Sequence, residues 1–109
     1  MVKPVEWRTQ AWQDASDASL WYAREGGLAP GEWFLAQLEA TLLKLGQFLD
    51  IGSTHHDGIV PGLSAALKFF PITQFERLLI YYLDLPGRVE VIRVWHSEHG
   101  LKALFDKDN

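Results

Sequence analysis

The chain has 109 residues, 48% of them hydrophobic, with five tryptophans and no cysteine. This length suits one domain over residues 1–109, able to bury about two-thirds of the surface its unfolded chain exposes. The lack of cysteine excludes disulfides, thiolate metal sites and cysteine nucleophiles, and a net charge of −4 lacks the positive footprint of a general nucleic-acid binder.

No run of about 18 apolar residues occurs, so no membrane-spanning helix is expected. Residues 1–8 are too short and too charged for a signal peptide. A cysteine-free chain suits a reducing cytoplasm, the expected compartment.

Residues 2–7 read as a short strand, with Val5 and Trp7 on one side and Pro4 and Glu6 on the other. Thr9 is the expected N-cap of a helix over residues 10–25. Ala11, Ala15, Ala18, Trp21 and Tyr22 form its apolar stripe, while Gln13, Asp14, Asp17 and Arg24 fall off it. The small alanines allow another helix to approach closely. Gly26-Gly27 ends the helix. A second helix is expected from about Pro30, with Phe34, Leu38, Thr41, Leu42, Leu45 and Leu49 recurring at three and four residues, and an end near Phe48. A link of about four residues makes the pair an antiparallel hairpin.

Residues 50–62 have loop composition. Strands are expected over residues 65–70, interrupted by Pro71, then 77–84 and 89–96. The last two are joined by Leu85-Pro86-Gly87-Arg88, a turn sequence. Residues 97–105 leave room for a short C-terminal helix, with a polar tail that frays. The order β-α-α-β-β-β is an α+β domain, an antiparallel sheet with the helix hairpin on one face. Alternation puts Ile80, Tyr82, Ile92 and Val94 toward the helices, meeting Ala15, Ala18, Leu38, Leu42 and Leu45. It also puts Arg93 on the face of Val89, Val91 and Trp95, and His96 on the other. Trp21 is expected in the core; Trp12 and Trp33 lie at the stripe edges.

Five segments in this order carry a resemblance. They are Ala11-x-x-Asp14-Ala15-x-x-Ala18-x-x-Trp21-Tyr22; Phe34-Leu35-x-x-Leu38-Glu39-x-x-Leu42-x-x-Leu45 followed by Leu49-x-x-Gly52; Pro61-Gly62-Leu63; Leu78-Leu79-Ile80-Tyr81-Tyr82; and residues 89–96, Val-Glu-Val-Ile-Arg-Val-Trp-His. The chain thereby resembles the RelE/ParE toxin superfamily, nearest to the ParE-type plasmid stabilisation toxins. Three positions depart from the family pattern: Leu49 replaces a usual proline, Ser64 a frequent arginine, and Glu98-His99 a frequent Arg-Asp. Two of these changes remove positive charge from the presumed working surface.

The resemblance implies the toxin of a type II toxin–antitoxin pair, with an antitoxin protein as partner. A ParE-like member acts by binding DNA gyrase and needs no active site of its own. A RelE-like member is a ribosome-dependent mRNA endonuclease. The third reading is an interaction module that has lost its poison. A nuclease needs cations for phosphate and a group to move protons; the candidates are Lys68, Arg77, Arg93 and His96. Relatives with nuclease activity use a tyrosine or second basic group near the C-terminus, where residues 101–105 offer only Lys102. The plainer alternative for Arg93 is an ion-paired sheet residue, and for His96 a strand-end histidine on a backbone carbonyl. Antitoxin contacts are expected at Trp33, Trp95 and Val91, and target contacts at Arg93, His96 and Lys102. His55-His56-Asp57 is expected to be an exposed polar loop, since adjacent residues rarely aim at one ion. No metal, no cofactor, no membrane and no sequence-specific nucleic-acid contact are expected.

Overall fold

The computed structural model describes residues 3–48, 51–57 and 62–97. Its elements are β1 (Val5–Trp7), α1 (Thr9–Gly26), α2 (Leu28–Gln47), β2 (Leu67–Ile72), β3 (Phe75–Leu85) and β4 (Arg88–His96). The expected order therefore stands, as an α+β domain. Residues 98–105, most of the expected C-terminal helix, lie outside the described residues, as do Leu49 and Pro61.

The sheet runs β1-β4-β3-β2. The last three strands are antiparallel neighbours, while β1 joins β4 in parallel, with Val5 opposite Val89 and Trp7 opposite Val91. The sheet is thus mixed. Residues 86 and 87, Pro-Gly, form the β3–β4 turn between Leu85 and Arg88. On the exposed side of β1 and β4, Arg8 pairs with Glu90 at 2.8 Å and Arg88 with Glu6 at 3.2 Å; such surface pairs add little stability.

Several local details differ from expectation. Thr9 is the first helical residue, and Arg8 occupies the cap position without a side-chain capping bond. Its amide still bonds the Val91 carbonyl at 2.9 Å while its own carbonyl accepts from Trp12, so strand passes into helix within one residue. Gly27 alone links the helices. Its φ of +94° is open to glycine, and its amide closes α1 on the Ala23 carbonyl at 2.9 Å. Pro30 is tolerated as the third residue of α2 because first-turn amides have no helical acceptor. The hairpin is tight at Gly31, where an added Cβ would lie 3.0 Å from the Ser19 carbonyl oxygen and 3.2 Å from the Ala23 methyl. Strand β2 continues through Pro71 to Ile72, because an edge strand can absorb a missing amide; its register shifts at that point.

Between the sheet and helices lie Ile72, Ile80, Tyr82, Val89, Val91 and Val94, packed with Ala11, Ala15, Phe34, Leu38 and Leu45; Ala18 and Leu42 flank them. The opposite face carries Leu67, Leu79, Tyr81, Leu83, Leu85 and Ile92, with Phe69 and Trp95 beside them. Ile92 is therefore on the face away from the helices, contrary to expectation. The cause is a bulge: Tyr82 pairs with Val91 and Tyr81 with Arg93, leaving Ile92 as the extra residue. Before it, Val89 and Val91 face inward; after it, Val94 does. Trp21 is also not a core residue, being 53% exposed, and Trp12 and Trp33 are exposed too. The helix-side core is filled by Tyr22 and Phe34, stacked at 5.4 Å.

Candidate functional site: a groove beside the open end of the sheet

The site begins with the shortness of β1. It covers β4 only as far as Val91, so the bulged second half of β4 has α1 as its neighbour. Asp14 fills the gap. Its Oδ2 accepts from the Val94 amide at 3.0 Å and from Arg93 Nε at 2.8 Å, and its Oδ1 accepts from Arg93 Nη2 at 3.1 Å. Both side chains are about nine-tenths buried. This two-point charge-assisted contact joins helix to strand. The guanidinium also lies 4.9 Å from the Trp95 ring centroid, a cation–π distance.

Beyond this contact a groove of about 980 Å³ opens between α1 and the ends of β3 and β4. Asp17, Trp21 and Tyr22 line the α1 side, Phe75, Glu76 and Arg77 the facing side, and Trp95 and His96 the strand end. Its rim is held firmly. Thr41, fully buried on α2, accepts from the Thr73 amide at 3.1 Å and donates to the Gln37 carbonyl at 2.7 Å. Gln74 takes a left-handed φ of +68° and donates its amide to Glu76 Oε2 at 2.9 Å. Phe75 then inserts among Tyr22 at 4.9 Å, Phe34 at 5.3 Å and Trp33 at 5.1 Å. Trp21 extends this aromatic ridge through its edge contact with Tyr22. Burial raises the Tyr22 phenol above its ordinary pKa.

The four cation candidates do not converge. Lys68 sits opposite Tyr82 on β2, 3.6 Å from Asp84, which also binds Lys3 at 2.7 Å. His96 is opposite Leu78, four residues back along β3 and so about 13 Å further along the strand direction. Arg77 and His96 share the groove. Arg93 is engaged by Asp14, which matches the ion-paired alternative. Among the expected antitoxin contacts, Trp33 is half-exposed on the aromatic ridge and Trp95 partly buried. Val91 is fully buried toward the helices, so its side chain offers a partner no surface; the bulge that follows it placed it there. Lys102 lies outside the described residues.

The 55–57 segment is also not merely an exposed polar loop. His55 is exposed, but His56 stacks on Phe69 at 4.4 Å and meets the Tyr81 hydroxyl at 3.0 Å. Asp57 accepts from the Leu67 amide at 2.9 Å. Burial pushes the Tyr81 phenol up to about 12. Burial first, and His55 second, lowers the His56 imidazole. No three-residue metal-ligating group occurs among the described residues. No described helix is long and apolar enough to cross a membrane.

Asp14 was the residue missed as part of a site. Its signal was its place one turn from both Ala11 and Ala18, which puts it on the flank of the buried stripe.

Geometry of this kind defines a small α+β domain with a helix hairpin against a mixed sheet and a groove between them. The ParE toxin family of type II toxin–antitoxin systems, parDE, matches residues 5–100. No curated protein matches the chain in sequence. Ten chains of solved structure match. One belongs to the chromosomal ParDE toxin–antitoxin system from P. aeruginosa; it is 13% identical, with a TM-score of 0.69 over 87% of this chain and 96% of that one. That likeness is one of fold. The family match spans most of the chain, and the protein belongs to the ParE toxin family, the toxin half of a type II toxin–antitoxin system.

Proposed function

We propose that this toxin acts in the cytoplasm by binding DNA gyrase, without chemistry of its own, and that an antitoxin silences it. The observation that carries this reading is the dispersal of the cations. Lys68 stands by Asp84 about 13 Å from the His96 level, and Arg93 is engaged by Asp14. A phosphodiester transition state requires several donors preorganised on one point. A protein-binding toxin requires only a contact surface with a few strong anchors, and the half-exposed rings of Trp21 and Trp33 supply such anchors. The antitoxin lies across this aromatic ridge and Trp95. His96 and Lys102 remain the proposed target contacts, while Arg93, about nine-tenths buried against Asp14, holds the strand that carries His96.

One observation favours the nuclease alternative: Arg77 and His96 line a common groove. Induction in cells separates the readings. Gyrase-dependent DNA cleavage and filamentous cells are expected, relieved by the antitoxin encoded next door, with cellular mRNA intact. Rapid mRNA cleavage on ribosomes, abolished by His96→Ala, overturns the proposal in favour of a nuclease. No growth effect, with tight antitoxin binding retained, overturns it in favour of a module without poison.

A further inference from the structure

We propose that the groove between α1 and the open end of the sheet receives a segment of the antitoxin that presents a lysine or arginine side chain. This rests on the toxin–antitoxin reading and deepens it by naming the chemistry of the partner.

The charge of the groove comes first. Among the described residues, three carboxylates line it, from Asp14, Asp17 and Glu76, against Arg77 and His96. Asp14 is matched by Arg93. Asp17 on α1 and Glu76 on β3 are both exposed and both line the groove. The partner that each shows is a neutral donor: Gln13 Nε2 to Asp17 at 2.9 Å, and the Gln74 amide to Glu76 at 2.9 Å. Neither bond cancels a charge. Among the described lining residues, Arg77 is set against these two carboxylates.

The apolar surface comes second. Trp21, Tyr22, Phe75 and Trp95 line the same groove, and the Trp21 indole is 53% exposed. A lysine or arginine suits this combination. Its methylene stem lies along apolar rings while its head stays polar. The charged head gains from an aromatic face and from a carboxylate acceptor. A nucleic-acid strand would also stack on the rings, but its phosphates would meet Asp17 and Glu76. An acidic peptide would meet the same repulsion. The size agrees with a chain segment, since about 980 Å³ open to solvent is at the upper limit of an ordinary small-molecule pocket. The rim is preorganised, because Thr41 and Phe75 tie it to the helices, which lowers the ordering cost of binding.

The test uses the full chain and four blocked 12-residue peptides, alike except for a central Arg, Lys, Glu or Ala. Binding is read from the indole N–H signals of Trp21 and Trp95, assigned by Trp→Phe substitution. The Arg and Lys peptides are expected to shift both signals and bind at least 10-fold more tightly than the Glu peptide. In Asp17→Lys/Glu76→Lys that order is expected to reverse. Both positions are exposed, and an unchanged thermal midpoint shows that the variant is folded. Preference of the unaltered chain for the Glu peptide, or for a uridine oligonucleotide, overturns the inference; so does absence of shifts with every peptide. The antitoxin from the adjacent reading frame gives a second arm. At least 10-fold weaker binding to the charge-reversed toxin is expected. Equal binding to both toxins overturns the groove assignment alone, whereas no binding to the unaltered toxin overturns the pairing itself.

Discussion

Asp14 and Arg93, 79 positions apart in sequence, meet at 2.8 Å and 3.1 Å, and the same carboxylate takes the Val94 amide. One side chain of α1 thus does for the second half of β4 what β1 does for the first. Breaking a buried pair of this kind costs about 3–5 kcal/mol. Asp14→Ala is expected to lose that order of stability in urea unfolding. Asp14→Leu combined with Arg93→Leu is expected to recover much of the loss, because the uncompensated charge is then gone. If the double variant is as unstable as the sum of its singles, the two residues are not coupled.

Gly52 marks a second close approach. A Cβ there would run into the Tyr82 hydroxyl and lie 2.7 Å from Cζ of its ring, and Tyr82 is buried in the helix-side core. Overpacking at such a site costs about 1–3 kcal/mol. Gly52→Ala is expected to lower the thermal midpoint accordingly, and less so in a Tyr82→Phe background, where the clashing oxygen is absent. Equal losses in both backgrounds would refute the contact.

Thr41 holds the rim of the groove from below. Thr41→Val keeps the shape but leaves the Thr73 amide without its acceptor, at a cost of about 1–3 kcal/mol. Thr41→Ser is expected to retain most of the stability. Amide exchange at Thr73 reads the same bond directly, and should accelerate in the valine variant only.

His56 makes stability depend on pH. Its folded pKa is lowered, by burial and then by His55, so the unfolded chain binds the proton more readily. The contribution of neutral His56 is complete above the ordinary histidine value of about 6.5. It is lost as pH falls through the lower folded value. The expected result is a decline in unfolding free energy on acidification from pH 7, flattened in His56→Phe, whose ring keeps the stack on Phe69. An unchanged pH slope in that variant would remove His56 as the cause.

Element order, the helix hairpin and most of the inward-facing residues are legible in the sequence. Those features follow from short-range rules: apolar residues at three and four positions in α1 and α2, glycine where the hairpin must turn, and Pro86-Gly87 between two alternating strands. The same rules placed Ile80, Tyr82 and Val94 toward the helices. They failed at Ile92, because strict alternation assumes an unbroken ladder and the bulge inserts one residue. They failed at Trp21, because a helical stripe shows which side is apolar but not how far the sheet extends to cover it; near Trp21 the sheet ends in an open groove. They failed at Asp14 and His56, whose partners, Arg93 and the Phe69–Tyr81 pair, are brought near only by folding. No local pattern announces a contact between segments that far apart. Such a contact arises only on folding, because the energy that fixes it comes from burying both partners together.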